Sequence, residues 1–144
     1  MNFAVPLPEV TERFIAYEGN ELARVPTDIR GLRLYRVSDM PEGAKGGGEY
    51  HEIRQELVGV SRGRIAWVCE DLLGGKKVFK LEAKTGTSLW MPPFILHTYT
   101  VLESGSELWV FANTLFDLRD EESKDTYPER DFRTLQVEYT KQPK

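Results

Sequence analysis

A chain of 144 residues, 40% hydrophobic and 29% charged, suits one globular domain with a substantial core. No apolar run approaches the roughly 20 residues that span a bilayer, and a net charge of -4 gives no general electrostatic reason to bind nucleic acid. Cys69 is the only cysteine, which excludes an intramolecular disulfide; the first residues lack a basic and then apolar leader, so a cytoplasmic protein is expected.

In chain order, residues 8–24 carry a weak pattern, read as an early helix or an irregular arm. Short segments rich in β-branched and aromatic residues follow at 30–37, 56–60, 64–70, 77–82, 87–91, 98–103 and 107–113. Turn signals separate them at Ser61-Arg62-Gly63, Gly74-Gly75, Thr85-Gly86 and Ser104-Gly105-Ser106. Many short antiparallel strands at this spacing predict an all-β sandwich or barrel, with its core over about 30–116 in a single 1–144 domain. Residues 117–125 read as a solvated charged loop. A short C-terminal helix is predicted over about 125–137: Pro128 suits its first turn, Asp125 or Thr126 its cap, and Phe132 and Leu135 form an i, i+3 apolar pair.

The chemistry-bearing residues gather around the only two histidines, His51 and His97. One series runs Gly43, five residues, Glu49-Tyr50-His51, four residues, Glu56, six residues, Gly63. A second runs Gly86, five residues, Pro92-Pro93-Phe94, two residues, His97. Together they resemble the two motifs of the cupin superfamily, with Glu49 at the first motif histidine, Phe94 at a motif glycine and Val101 at a motif asparagine. The resemblance implies a double-stranded β-helix, or RmlC-like jelly-roll barrel. Strand alternation then places Glu49 and His51 on one face and Tyr50 on the other, where it packs. An antiparallel barrel brings His97 toward the same interior.

A narrower resemblance rests on YHEIRQELVGVSRGRIAWVCED, on LWMPPFILHTYTVLE and on the tail ANTLFDLRDEESKDTYPERDF. These are similar to the nucleotide-sugar cupins: the WxcM-like dTDP-keto-hexose 3,4-ketoisomerases and the dTDP-4-keto-6-deoxyhexose 3,5-epimerases. In that pattern the ketoisomerase arginine falls on Gly46, its first histidine on Glu49 and its glutamine on Glu56, while His51 is retained. The resemblance implies an isomerase or epimerase of a nucleotide-linked keto-deoxysugar in polysaccharide biosynthesis, acting as a homodimer without a metal. His51 is then the base, with Glu49 or His97 orienting it or returning the proton, because imidazole titrates near neutrality. Tyr99 shares the face of His97 and is a candidate donor to a sugar oxygen. Lys45, Arg54 and Arg64 are candidate diphosphate contacts, though each taken singly reads more readily as a solvated surface charge.

Two other readings stay open at this point. Glu49, His51, Glu56 and His97 form a mixed N/O donor set that could hold Fe, Mn, Ni or Zn in a metal-dependent enzyme acting on a small molecule. The altered motif positions also allow a non-catalytic, sugar-binding cupin. Trp67, Trp90 and Trp109 are expected in the core or an interface, and Cys69 in the core.

Overall fold

The computed structural model describes residues 15–17, 33–73, 78–114 and 124–141, and among these residues alternating apolar positions and well-spaced turns build ten strands and one C-terminal helix. The strands are β1 (Ile15–Tyr17), β2 (Arg33–Met40), β3 (Lys45–Tyr50), β4 (Glu56–Arg62), β5 (Arg64–Asp71), β6 (Val78–Lys84), β7 (Ser88–Met91), β8 (Ile95–Val101), β9 (Ser106–Ala112) and β10 (Tyr127–Pro128). Helix α1 follows at Glu129–Lys141. One sheet has the order β1-β7-β4-β9-β2 and the other β10-β3-β8-β5-β6, with antiparallel pairing throughout. This is the expected jelly roll.

Period-two burial supplies the core. Val58 and Val60 of β4, Ile65, Trp67 and Cys69 of β5, and Leu108 and Val110 of β9 all point inward and pack in one cluster. Burial alone pushes the Cys69 thiol well above its ordinary range, consistent with an inert apolar role. Trp67 and Trp90 are buried, whereas Trp109 faces outward with the Arg36 guanidinium 5.7 Å from its ring centre. Among the described residues, no helix is long and apolar enough to cross a membrane.

A second cluster joins α1 to the outside of the barrel. Tyr50, Leu72, Leu96 and Phe132 are buried there, with Phe94, Tyr127 and Leu135 packed around them. The Tyr50 ring lies 5.2 Å from that of Tyr127 and 5.5 Å from that of Phe132, centre to centre. Tyr50 therefore packs away from the interior, as alternation predicted.

The helix begins later than its sequence pattern suggested. Residues 127 and 128 first pair with β3, Tyr127 against Tyr50 and Pro128 against Glu49, so Pro128 precedes the helix instead of opening it. Asp125 does not cap it either, because its carboxylate bonds to backbone N–H groups of residues 52–54. Glu129 and Asp131 supply the negative charge favoured in a first helical turn. Of the expected arm at 8–24, only Ile15–Tyr17 is described; Gly74-Gly75 and residues 117–123 lie outside the described residues.

Phe132 is fully buried between helix and sheet. Phe132→Ala is expected to cost about 3–5 kcal/mol in unfolding free energy, measured by urea denaturation. A loss below about 1 kcal/mol would mean that α1 contributes little to the fold.

Candidate functional site

The glycines before Glu49 reshape β3. Gly47 pairs with Thr98 and Glu49 with His97, leaving Gly48 as an extra residue in a bulge. Gly47 and Gly48 have φ of 79° and 77°, a left-handed backbone that suits glycine. A β-carbon on Gly47 would also collide with the His97 carbonyl. The bulge sets Glu49 directly across from His97, and His51 follows just beyond the strand end.

The two imidazoles face each other with ring centres 5.3 Å apart, and both are buried. Each has its Nδ1 against a backbone carbonyl, His51 at 2.7 Å from Asp125 O and His97 at 3.0 Å from Ile95 O. A carbonyl only accepts, so in each neutral ring the proton belongs on Nδ1 and the lone pair on Nε2. His51 Nε2 lies 3.3 Å from Glu56 Oε1, buried and off the line of a hydrogen bond. Burial, and then the charge of His51, hold the His97 pKa below the ordinary histidine range.

Glu56 lies at the centre of the charges. Burial alone would raise its pKa, but His51, His97 and Arg54 outweigh that effect and bring it down to about 2. Arg54 Nη1 sits 3.6 Å from Glu56 Oε1, while its Nε and Nη2 donate to Thr114 Oγ1 and the Lys124 carbonyl. The surface-charge reading of Arg54 is thus corrected: it is 4% exposed and neutralises a buried carboxylate.

Glu49, Trp67, His97 and Tyr99 from one sheet and Tyr35 and Glu56 from the other line a cavity of about 130 Å³. His51 sits one ring behind that wall. A larger, more open cavity of about 360 Å³ is lined by Arg33, Tyr35, Glu49, Arg54 and Thr126. Burial, helped by the Glu56 carboxylate, pushes the Tyr35 hydroxyl up to about 12, and burial likewise raises Tyr99. Tyr35 lies on the largely exposed part of β2 and is itself partly exposed, and nothing in its local sequence pointed to the site.

The other two basic candidates lie elsewhere. Lys45 is exposed at the start of β3 and lines neither cavity. Arg64 opens β5, half-exposed, and pairs with Glu82 at 2.9 Å. Tyr99 accounts for the missing arginine at 46: a β-carbon on Gly46 would fall on the Tyr99 ring. Aromatic bulk from β8 fills the space that a side chain at 46 would need.

Glu49, His51 and His97 can each bring one donor atom within 4.8 Å of the others. With both Nδ1 atoms committed to carbonyls, the free donors are the Nε2 atoms, and carbonyl-backed imidazoles are a common arrangement behind metal ligands. The donor set fits a divalent transition ion. Glu56 adjoins this trio through His51 and is not one of its three members.

The low Glu56 pKa has a consequence for stability. A depressed carboxylate contributes fully above its unfolded pKa, near 4.5, and the contribution is lost as pH falls toward about 2. The lowered His97 pKa adds an earlier loss: below its ordinary 6.5, the unfolded chain takes up the proton more readily than the folded one. Glu56→Gln should be less stable at pH 7, and its deficit should shrink between pH 4.5 and 3 in urea-unfolding measurements. A deficit constant across that interval would show that Glu56 is not held ionised.

The profile of the family described as FdtA, WxcM-like, C-terminal matches residues 12–130. Among curated proteins, no sequence match is found. Among solved structures, the chain is similar to QdtA, a sugar 3,4-ketoisomerase from Thermoanaerobacterium thermosaccharolyticum in complex with TDP. The two share 15% identity with a TM-score of 0.67, over 90% of this chain and 96% of that one. A 3,4-ketoisomerase from Helicobacter canadensis matches at 17% identity and a TM-score of 0.63, over 88% and 85%. The dTDP-4-dehydrorhamnose 3,5-epimerase from Elizabethkingia anophelis NUHP1 matches at 13% and 0.59, over 83% and 77%. At these identities the structural likeness is one of fold, while the profile spans most of the sequence: the chain belongs to the WxcM-like C-terminal family.

Proposed function

We propose that this chain isomerises or epimerises a nucleotide-linked keto-deoxysugar by removing and returning a proton beside its carbonyl. The observation that carries this reading is the facing imidazole pair, each ring with Nδ1 held by a carbonyl and Nε2 left as the proton acceptor. Membership of the family supports it, as do structural neighbours described as 3,4-ketoisomerases and a 3,5-epimerase, one of them in complex with TDP. The carbon beside the carbonyl gives its proton to imidazole, and the carbonyl becomes an enediol oxygen. Return to the same carbon on its other face gives an epimer. Return to the former carbonyl carbon, with loss of the neighbouring hydroxyl proton, gives the isomeric ketone. Both routes balance without an external oxidant.

His51 is assigned as the base because the Glu56 carboxylate lies beside its Nε2 and stabilises an arriving proton. His97, Glu49 and Tyr99, on the cavity wall, orient the sugar and return the proton. The Arg33 guanidinium at the outer cavity suits the diphosphate, while Arg54, held by Glu56, Thr114 and the Lys124 carbonyl, forms part of the cavity lining. On this reading the chain works as a homodimer in polysaccharide biosynthesis, as the family resemblance implies, and in the cytoplasm, where its single free cysteine stays reduced.

Exchange of the sugar's proton with solvent deuterium tests this directly, with dTDP-4-keto-6-deoxyglucose as the first substrate. His51→Gln should slow exchange by about 10²–10⁴-fold. Because His51 Nε2 is buried behind the wall, His97→Gln separates two routes. Exchange that survives this change means direct transfer to His51, whereas equal loss in both variants means a relay through His97. Wild-type exchange in His51→Gln would remove His51 from the mechanism.

A second reading rests on the convergence of Glu49, His51 and His97 within 4.8 Å. These three would hold a divalent transition metal, which supplies Lewis acidity toward a bound oxygen when present. The isomerase reading expects full exchange activity after chelation with EDTA. Loss of activity on chelation, restored by one divalent metal, would favour the metal-dependent enzyme instead.

A further inference from the structure

Asp125 lies outside both cavity linings, yet among the described residues more bonds to the His51 segment end on it than on any other. It is 6% exposed and sits at φ 43°, in the left-handed region that aspartate tolerates better than most side chains. Its Oδ1 accepts from the backbone N–H of Glu52 at 2.9 Å, and its Oδ2 from those of Ile53 at 3.1 Å and Arg54 at 2.7 Å. Its own carbonyl accepts from His51 Nδ1. The preceding carbonyl, of Lys124, accepts from Arg54 Nη2 at 2.7 Å. Four consecutive residues, 51 to 54, are thereby tied to a dipeptide 70 to 74 positions later in the chain.

Two groups compete for His51 Nδ1. Arg54 Nη1, which only donates, lies 3.5 Å away, and the Asp125 carbonyl, which only accepts, lies 2.7 Å away. The shorter contact decides the tautomer, since a carbonyl oxygen at 2.7 Å requires a proton on Nδ1. The carboxylate makes that carbonyl available: three N–H bonds fix the backbone of 52–54 against Asp125 and so fix where its carbonyl points.

We propose that Asp125 is a positioning residue that sets the tautomer of His51, fixing the proton on Nδ1 and leaving Nε2 as the accepting atom. The site is therefore completed only when the segment carrying Asp125 docks on the 51–54 loop. This rests on the proton-transfer reading for its effect on rate, but the tautomer itself can be observed without any substrate.

The test uses the full chain labelled with 15N-histidine. Two histidines give two imidazole patterns, and His97→Gln assigns them. In wild type, above the imidazole titration, His51 should appear as one neutral form protonated on Nδ1. Asp125→Ala should shift it toward the Nε2–H form or a mixture and slow deuterium exchange by about 10–100-fold. Asp125→Asn, which keeps one acceptor oxygen and tolerates the left-handed backbone, should recover much of both. Circular dichroism and a melting curve check that each variant is folded. If Asp125→Ala does not fold, the wild-type tautomer and the Asn variant still decide. A wild-type His51 protonated on Nε2, or an Asp125→Ala protein with the wild-type tautomer and rate, would overturn the proposal. An Nδ1–H tautomer in a protein that exchanges no keto-sugar would leave the positioning role standing and overturn the isomerase reading alone.

Discussion

A carboxylate kept ionised where water scarcely reaches sets the terms for the interior of this barrel. Glu56 is 4% exposed, and an isolated charge so placed would neutralise itself or leave the core. It does neither because Arg54 and two histidines surround it. Arg54 must then be buried as well, and its remaining N–H groups need acceptors, which Thr114 and the Lys124 carbonyl provide. One charge thus draws in a cation, the cation draws in the segment before β10, and that segment holds the histidine facing the original charge.

The same strand serves two surfaces. Glu49 and His51 belong to the polar interior, and Tyr50 between them is buried under α1. Packing of the C-terminal helix and geometry of the site are therefore linked through adjacent residues of a single strand. Phe94 tightens the link. It sits at φ 65°, donates its N–H to the His51 carbonyl at 2.7 Å and stacks its ring toward Tyr50. The family pattern has glycine there; here the apolar contact under the helix offsets the cost of a side chain in a left-handed conformation.

Much of this was legible in the sequence where the signal was local. Motif spacing around the only two histidines identified the fold, the family and the cluster of Glu49, His51, Glu56 and His97. The strands at 56–60, 64–70 and 107–113 emerged nearly at their observed bounds because alternation there is strong. β3 was absent from the segments read by composition, and only the motif put residues 49–51 on a strand, since KGGGEY has little strand propensity and is held by pairing on both sides. Asp125 was read as a helix cap because its true partners lie 71 to 74 positions away. Tyr35 was missed, and Arg54 was named only as a diphosphate contact or a surface charge, for the same reason: what aims one and buries the other comes from distant parts of the chain. No local signal separates a buried arginine from a solvated one.

The bulge at Gly48 gives the site an unusual relation to changes in chain length. Alternation counted from Gly46, which faces Tyr99, would turn Glu49 outward and Tyr50 inward if the strand ran straight through all its residues. The extra residue absorbs that mismatch. Removing Gly48 would leave Gly47 opposite Thr98 and Glu49 opposite His97, in a regular ladder with the same side chains inside. Replacing the glycines with larger residues would instead press the strand to straighten at its full length and turn the acidic residue out of the barrel. Sequences descended from this one can thus shorten the glycine run more safely than they can decorate it.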